Sequence, residues 1–71
     1  MTWTDAESIG IALHERFPRT DPLSVRFTDL RQWVVELPGF DDDPDASSEG
    51  RLEAIQLAWY EEWREGEGPG R

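Results

Sequence analysis

The ten residues "TDLRQWVVEL" at positions 28–37 decide the fold. Their apolar members recur at i, i+3, i+4 and i+7, a spacing that places them on one face of an α-helix. These residues are Leu30, Trp33, Val34 and Leu37. Thr28 or Asp29 stands where a side chain can cap the helix N-terminus, and Pro38 ends the helix. The stretch therefore predicts an amphipathic helix with Trp33 in the middle of its buried face.

A second helix is predicted ahead of this one. Thr4 and Glu7 have the spacing of a capping box, in which the hydroxyl and the carboxylate each accept a hydrogen bond from a free backbone N–H group. Apolar residues then follow at helical spacing, namely Ile9, Ala12, Leu13 and Phe17. Pro18 ends the helix. A lone helical histidine is usually packed or solvated, so we expect no catalytic or ligand role for His14.

A third helix is predicted from Ser47 or Ser48 to about Arg64. One of its faces carries Leu52, Ile55, Trp59 and Trp63. Leu57 and Tyr60 fall on another side at 100° per residue. Because a small domain wraps its longest helix, we expect both sides to pack. The alternative is that Leu57 and Tyr60 form an apolar contact patch for a partner.

The connector "RTDPLSVRF" at positions 19–27 alternates apolar and polar residues in its second half, which predicts a short extended segment. The alternating apolar residues are Leu23, Val25 and Phe27. At the other end of the chain, "EGEGPGR" at positions 65–71 has no periodicity and is predicted to be a flexible tail. The expected fold is therefore a single, mainly α domain over residues 1–64, with three principal helices and short strands.

Composition limits the function. The 71 residues include sixteen acidic residues, seven arginines, no lysine and no cysteine, with a formal net charge of -9. This charge repels phosphate backbones and anionic membranes, so neither nucleic acid nor a membrane is expected as a partner. The sequence has no apolar run of membrane-spanning length and no signal-peptide pattern, which predicts a cytoplasmic protein.

The residues that carry most enzyme chemistry are also missing. There is no cysteine nucleophile, no lysine for a Schiff base and no glycine-rich phosphate loop. The serines have no evident base beside them, and a chain of this length has little room for the cleft that an acid/base pair of carboxylates needs. We therefore expect a protein that is not an enzyme.

The stretch "FDDDPDAS" at positions 40–47 raises the main functional question, because adjacent carboxylates disfavour each other's ionisation. A helix N-terminus explains Asp45, Ser47 and Glu49, since anions are stabilised there. Helix capping does not explain Asp41–Asp43. Three roles stay open for these residues: solubility, binding of a metal ion, and binding of a basic partner. The spacing does not match an EF-hand, so a metal site here would be open and weak. If the cluster is a recognition site, neutralising it should relieve repulsion and leave stability unchanged or higher.

Several stretches, taken in order, resemble the IscX (YfhJ) family of small acidic proteins of bacterial iron–sulfur cluster assembly. They are "WTD" at 3–5, "IGIAL" at 9–13, the segment from "DP" at 21–22 through "FDDDPDAS" to Glu49, and "LEAIQLAW" at 52–59. The resemblance covers the chain up to about Arg64. It implies a modified winged-helix fold.

The resemblance also implies a function, that of an adaptor or regulator that binds the cysteine desulfurase (IscS) and competes with frataxin for an overlapping surface. The positions implied for partner binding are Asp5, Asp29, Asp41, Asp42 and Asp43. The positions implied for weak binding of ferrous iron are Asp5, Glu7, Asp41, Asp42 and Asp43. No tightly bound cofactor is expected. The alternative is a ferrous iron carrier or sensor that donates iron to the assembly machinery.

Overall fold

The computed structural model describes residues 1–67 and contains three α-helices. Helix α1 spans Ala6–Arg16, α2 spans Phe27–Val35 and α3 spans Glu49–Glu67, with short 3₁₀ turns at Pro22–Ser24 and Pro44–Ala46. The mainly helical architecture predicted from the sequence is confirmed. None of the helices in residues 1–67 has both the length and the apolar composition that crossing a membrane requires.

The predicted short strands are not found in residues 1–67. The alternating segment around Leu23 forms the first 3₁₀ turn instead, and Phe27 is already the first residue of α2. Asp21 explains the turn, because its Oδ1 accepts a hydrogen bond from the Leu23 N–H group at 3.0 Å and Pro22 favours the first helical position. A wing requires strands, so the winged-helix expectation is not confirmed for the part of the chain that the structure describes.

The helix ends differ in detail from the prediction. The capping box is wrong: Asp5 is the N-cap residue of α1, and Thr4 Oγ1 pairs with Thr2 Oγ1 at 3.0 Å. Helix α2 starts one residue early, after Arg26, without a side-chain cap from Thr28 or Asp29.

The predicted start of α3 is confirmed, because Ser48 Oγ accepts the Arg51 N–H group at 3.2 Å. Helix α3 continues to Glu67, three residues beyond the expected end at Arg64. The rest of the predicted tail, residues 68–71, lies outside the described residues.

The core is built around α3, against which α1, α2 and the first 3₁₀ turn pack. Its buried residues are Trp3, Ile9, Leu13, Leu30, Val34, Leu37, Leu52, Ile55 and Trp59. Trp33 is partly buried, contrary to the prediction that it is central, and stacks on Phe17 with ring centroids 4.5 Å apart. Gln56 Nε2 donates to the Pro22 carbonyl oxygen at 2.9 Å and ties the first 3₁₀ turn to α3.

Helices α1 and α3 cross closely at Gly10. A Cβ atom at this position would lie 2.8 Å from the Ala58 carbonyl carbon and 2.8 Å from the Trp59 backbone nitrogen. Real side chains almost never approach a backbone so closely, so only glycine fits here. The contact sets the distance between the two helices and shapes the surface on either side of it.

Candidate functional site

The acidic stretch forms a loop that is fastened to the first three residues of the chain. The N-terminal amine of Met1 donates to the Gly39 carbonyl oxygen at 2.7 Å, and the Asp41 N–H group donates to the Met1 carbonyl oxygen at 2.7 Å. Trp3, only 1% exposed, packs edge-on against Phe40 with ring centroids 4.9 Å apart. We call residues 40–45 the aspartate loop. Its position is fixed by these contacts.

Asp42 is a structural member of the aspartate loop. Its Oδ2 accepts the Trp3 N–H group at 3.1 Å and its Oδ1 accepts the Asp43 N–H group at 2.7 Å. These two hydrogen bonds, that from Trp3 first, hold the pKa of the Asp42 carboxyl below its ordinary value of 3.8. Partial burial opposes the lowering of this pKa, while Arg51 and the N-terminal amine add to it. The fold therefore stabilises the ionised form of Asp42 despite the neighbouring carboxylates.

Asp43 is also used by the local structure. Its Oδ1 accepts the Asp45 N–H group at 2.9 Å and caps the second 3₁₀ turn, where Pro44 is the first residue. Its carbonyl oxygen accepts the indole N–H group of Trp3 at 2.7 Å. The sequence interpretation that helix capping leaves Asp41–Asp43 without a structural role is therefore wrong for Asp42 and Asp43.

Asp41 differs from its two neighbours. It is exposed, and its carboxylate makes no hydrogen bond or ion pair with any residue in the range 1–67. Only its backbone N–H group takes part in fastening the loop. Asp41 therefore presents a carboxylate that no described residue contacts, from a backbone position that the Met1 contact holds in place.

Asp45 makes a contact that the sequence did not indicate. Its Oδ1 lies 2.9 Å from Arg31 Nη2, and the two side chains are 88% and 38% exposed respectively. An exposed pair of this kind contributes little stability. Its main consequence is positional, because it connects the aspartate loop to α2 and partly neutralises Asp45. No sequence pattern predicts it, since the two residues lie fourteen positions apart.

The remaining predicted residues lie in separate places. Asp5 Oδ2 accepts the Thr2 N–H group at 2.9 Å, which stabilises the same N-terminal segment that holds the loop. Asp29 is exposed in the first turn of α2, and its carboxylate has no hydrogen-bond partner among the described residues. Glu7 lies in the first turn of α1 and borders a groove between α1 and α3 that also contains Ile11 and Leu57.

No preformed iron site is found in residues 1–67, because no three histidine, cysteine, aspartate or glutamate side chains stand together as possible ligands. The hydrogen bonds of the loop give the reason. The oxygens of Asp42 and the Oδ1 of Asp43 accept backbone N–H groups, which orient them toward the protein. The carboxylates in this arrangement do not fit a closed iron site.

Sequence reasoning was also wrong about part of α3. Leu57 is 53% exposed, so the expectation that both sides of the helix pack fails there, while Tyr60 is partly buried. Ile11, which lies outside the apolar stripe of α1, is 43% exposed. Both residues border the same groove. The signal available in the sequence was that each one lies off the stripe of its own helix. His14 is partly buried, and its Nδ1 has no hydrogen-bond partner among the described residues.

Fold and site together define a small, strongly acidic three-helix protein whose N-terminal residues fix an aspartate-rich loop. A family model described as iron–sulphur cluster assembly matches residues 1–64, and the chain belongs to this family. The match agrees with the sequence resemblance at the level of cluster assembly. The family is associated with assembly and is not a known enzyme family.

A similar protein is known from Pseudomonas aeruginosa strain PAO1. It is named "Uncharacterized protein PA3808" and is 58% identical to this chain over 62 residues. The alignment covers 87% of this chain and 94% of the relative. The similarity therefore extends over most of the chain and nearly all of the relative.

Proposed function

We propose that this protein is a cytoplasmic adaptor or regulator of iron–sulphur cluster assembly that binds the cysteine desulfurase (IscS) through its acidic surface. The residues proposed to form this surface are Asp5, Asp29, Asp41, Asp42 and Asp43. Membership of the assembly family supports a role in this machinery. The choice of the desulfurase, and of a surface shared with frataxin, follows the resemblance to IscX proteins.

The observation that carries the proposal is the exposed carboxylate of Asp41 on a fastened loop. Four hydrogen bonds connect residues 39–43 to Met1 and Trp3, so binding a partner costs little ordering of the loop. The Asp41 carboxylate makes no hydrogen bond or ion pair within residues 1–67, so an arginine or lysine of a partner displaces no internal contact there. Complementary charge of this kind speeds association and selects basic partners.

The roles within the loop follow from these contacts. We propose that Asp41 makes a direct contact with the partner, while Asp42 and Asp43 mainly hold the loop in shape and add negative potential. Arg51 and Arg31 lie close enough to the loop to reduce that potential locally. Among the aspartates of the loop, Asp41 therefore has the carboxylate that no hydrogen bond or ion pair within residues 1–67 engages.

A binding measurement with purified desulfurase tests the proposal. Asp41→Asn should weaken the complex severalfold at low salt, and the difference should shrink near 1 M salt, where charges are screened beyond about 3 Å. The matched control is Glu53→Gln, which removes the same charge from an exposed position on α3. Frataxin should compete with the wild-type protein. Equal affinities of Asp41→Asn and Glu53→Gln, with both proteins folded, would remove the loop from the interface.

The alternative function, a ferrous iron carrier or sensor, has no specific support from the ligand geometry of residues 1–67. Exposed carboxylates still predict weak binding of divalent ions, with little selectivity for iron. Anaerobic calorimetry with ferrous iron in the presence of excess calcium measures this directly. A tight stoichiometric site that resists calcium would favour the carrier over the adaptor.

A further inference from the structure

A groove lies on the surface between α1 and α3, and none of its lining residues takes part in the hydrogen bonds that fix the aspartate loop. Its volume is about 490 Å³. Its apolar lining comes from Ile11, Leu57 and Ala58. Its acidic lining comes from Glu7, Glu61, Glu62 and Glu65. We call this feature the glutamate groove.

The groove exposes apolar surface that residues 1–67 leave uncovered. Ile11 and Leu57 are 43% and 53% exposed, on different helices that meet at the close crossing of Gly10 and Ala58. Gly10 and Ala58 are small residues, so the longer side chains on either side of them border a depression. An apolar depression between two helices is the usual receptor for an apolar ridge of another helix.

The charges around the groove select the occupant. Four carboxylates line it, and no arginine in residues 1–67 does so. Arg64 reaches Glu61 Oε2 at 2.9 Å, which leaves the other three glutamates without an ion pair among the described residues. A second copy of the chain, with a net charge of -9, would bring like charges together. The complementary occupant is a positively charged one.

We propose that the glutamate groove docks an amphipathic helix of a partner protein, with an apolar ridge on Ile11 and Leu57 and with arginines or lysines against the glutamates. The aspartate loop is charged, but most of its short side chains already accept hydrogen bonds from backbone N–H groups. The groove adds an apolar contact to its charge, so it binds by shape as well as by electrostatics. The inference goes beyond the proposed function and does not require that function to be correct.

The probe is a labelled synthetic peptide of about 15 residues with leucines at i, i+3, i+4 and i+7 and lysines beside them. A second peptide has the same composition with the leucines distributed around the helix. Fluorescence anisotropy measures both dissociation constants. The first peptide should bind the wild-type protein, and the second should bind at least about tenfold more weakly, because it cannot bury its leucines together.

Two variants of the protein separate apolar contact from charge. Ile11→Gln with Leu57→Gln should weaken the first peptide by at least about tenfold, at low and high salt alike. Glu62→Gln with Glu65→Gln should weaken it at low salt, and the loss should largely disappear at about 0.5 M salt. Melting temperatures of both variants should stay close to that of the wild type, since the substituted groups lie at the surface.

The chain offers matched controls for each variant. Leu23 is 55% exposed, nearly the same as Leu57, and lies in the first 3₁₀ turn, so Leu23→Gln should leave peptide affinity within about twofold. Glu36→Gln, which removes one charge from an exposed position at the end of α2, should also leave it within about twofold. Equal losses in Leu23→Gln and in the groove variants would overturn the proposal. So would equal binding of both peptides, or a wild-type dimer that Leu57→Gln dissociates.

Discussion

The aspartate loop and the glutamate groove are both acidic, yet their carboxylates do different things. In the loop, Asp42 and Asp43 accept backbone N–H groups at 2.7–3.1 Å, whereas the Asp41 carboxylate has no hydrogen bond or ion pair with any residue of the described range 1–67. In the groove, the glutamates project from two helices beside the exposed side chains of Ile11 and Leu57, and none of the four accepts a backbone N–H group from the described residues. The difference follows from side-chain length and backbone state. A short aspartate in a loop can satisfy free N–H groups of its neighbours, whereas Glu61, Glu62 and Glu65 lie beyond the first turn of α3, where the N–H groups are paired within the helix.

The two surfaces therefore differ in their role in the fold. The carboxylates of the aspartate loop take part in its hydrogen bonds, whereas those of the glutamate groove do not stabilise the backbone. Removing charge from the loop should affect stability wherever the carboxylate holds an N–H group. Removing charge from the groove should affect binding alone. The experiments below test that separation.

The largest effect is expected from Trp3→Ala, which removes the side chain that anchors the loop. Trp3 is 1% exposed, packs against Phe40 and donates its indole N–H group to Asp43. Truncating a buried tryptophan lowers the free energy of unfolding by about 3–5 kcal/mol. A core of this size supplies a total stability of about 3–5 kcal/mol, so the loss is comparable to the whole. Thermal unfolding followed by circular dichroism should show a domain that is unfolded or nearly so.

Trp3→Phe provides the graded comparison for this experiment. It keeps an aromatic ring in the core and loses the indole hydrogen bond, so its melting temperature should fall between those of Trp3→Ala and the wild type. A Trp3→Ala variant that melts like the wild type would show that the N-terminal residues do not anchor the loop.

Gly10→Ala should have the next largest effect, at the crossing that shapes the groove. The added methyl group would approach the backbone of Ala58 and Trp59 to 2.8 Å, and forcing α1 and α3 apart costs about 1–3 kcal/mol. Chemical denaturation measures the loss. The matched control is Gly50→Ala in the first turn of α3, where a Cβ atom meets nothing within 4 Å. That substitution should be neutral or stabilise by up to about 1 kcal/mol through helix propensity. Equal destabilisation by both would contradict the close crossing.

A smaller and more specific effect is expected within the loop. Asp42→Asn should lower the melting temperature, because the neutral amide accepts the Trp3 and Asp43 N–H groups less strongly than the carboxylate does. Asp41→Asn should leave the melting temperature unchanged or raise it, because it removes only repulsion. This pair refines the expectation that neutralising the whole cluster leaves stability unchanged or higher. If Asp42→Asn proves as stable as Asp41→Asn, the loop is not held through its carboxylates.

The smallest effect is a pH dependence that belongs to Asp42. Its pKa in the folded protein lies below 3.8, so the unfolded chain takes up a proton before the folded protein does. The stability that this carboxylate contributes is therefore fully present well above pH 3.8, and it is lost as the pH falls through the pKa of the folded state. Urea denaturation between about pH 5 and about pH 2 should show a shallower acid-induced loss in Asp42→Asn than in Asp41→Asn. Identical slopes in the two variants would assign the acid sensitivity to other groups.

Helical periodicity alone predicted much of this protein. Leu30 and Val34 are buried as their helical spacing indicates, because burial removes the apolar face of the helix from water. Leu37 is also buried, although α2 ends two residues before it, at Val35. Ser48 caps α3 for an equally local reason. Composition established the strong negative charge, and the ordered motifs pointed to the family that the comparison with known proteins supports.

Tertiary structure alone decided what the acidic residues do. The aspartate loop meets the N-terminus across about forty residues, and the helix crossing at Gly10 depends on a backbone forty-eight positions away. Distances of this kind are set by packing of the whole core and leave no periodic trace in the sequence. For the same reason the sequence marked Asp41, Asp42 and Asp43 as equivalent. In the folded protein, Asp42 accepts two backbone N–H groups and Asp43 accepts one, whereas the Asp41 carboxylate accepts none from residues 1–67. The fold therefore makes the three aspartates different.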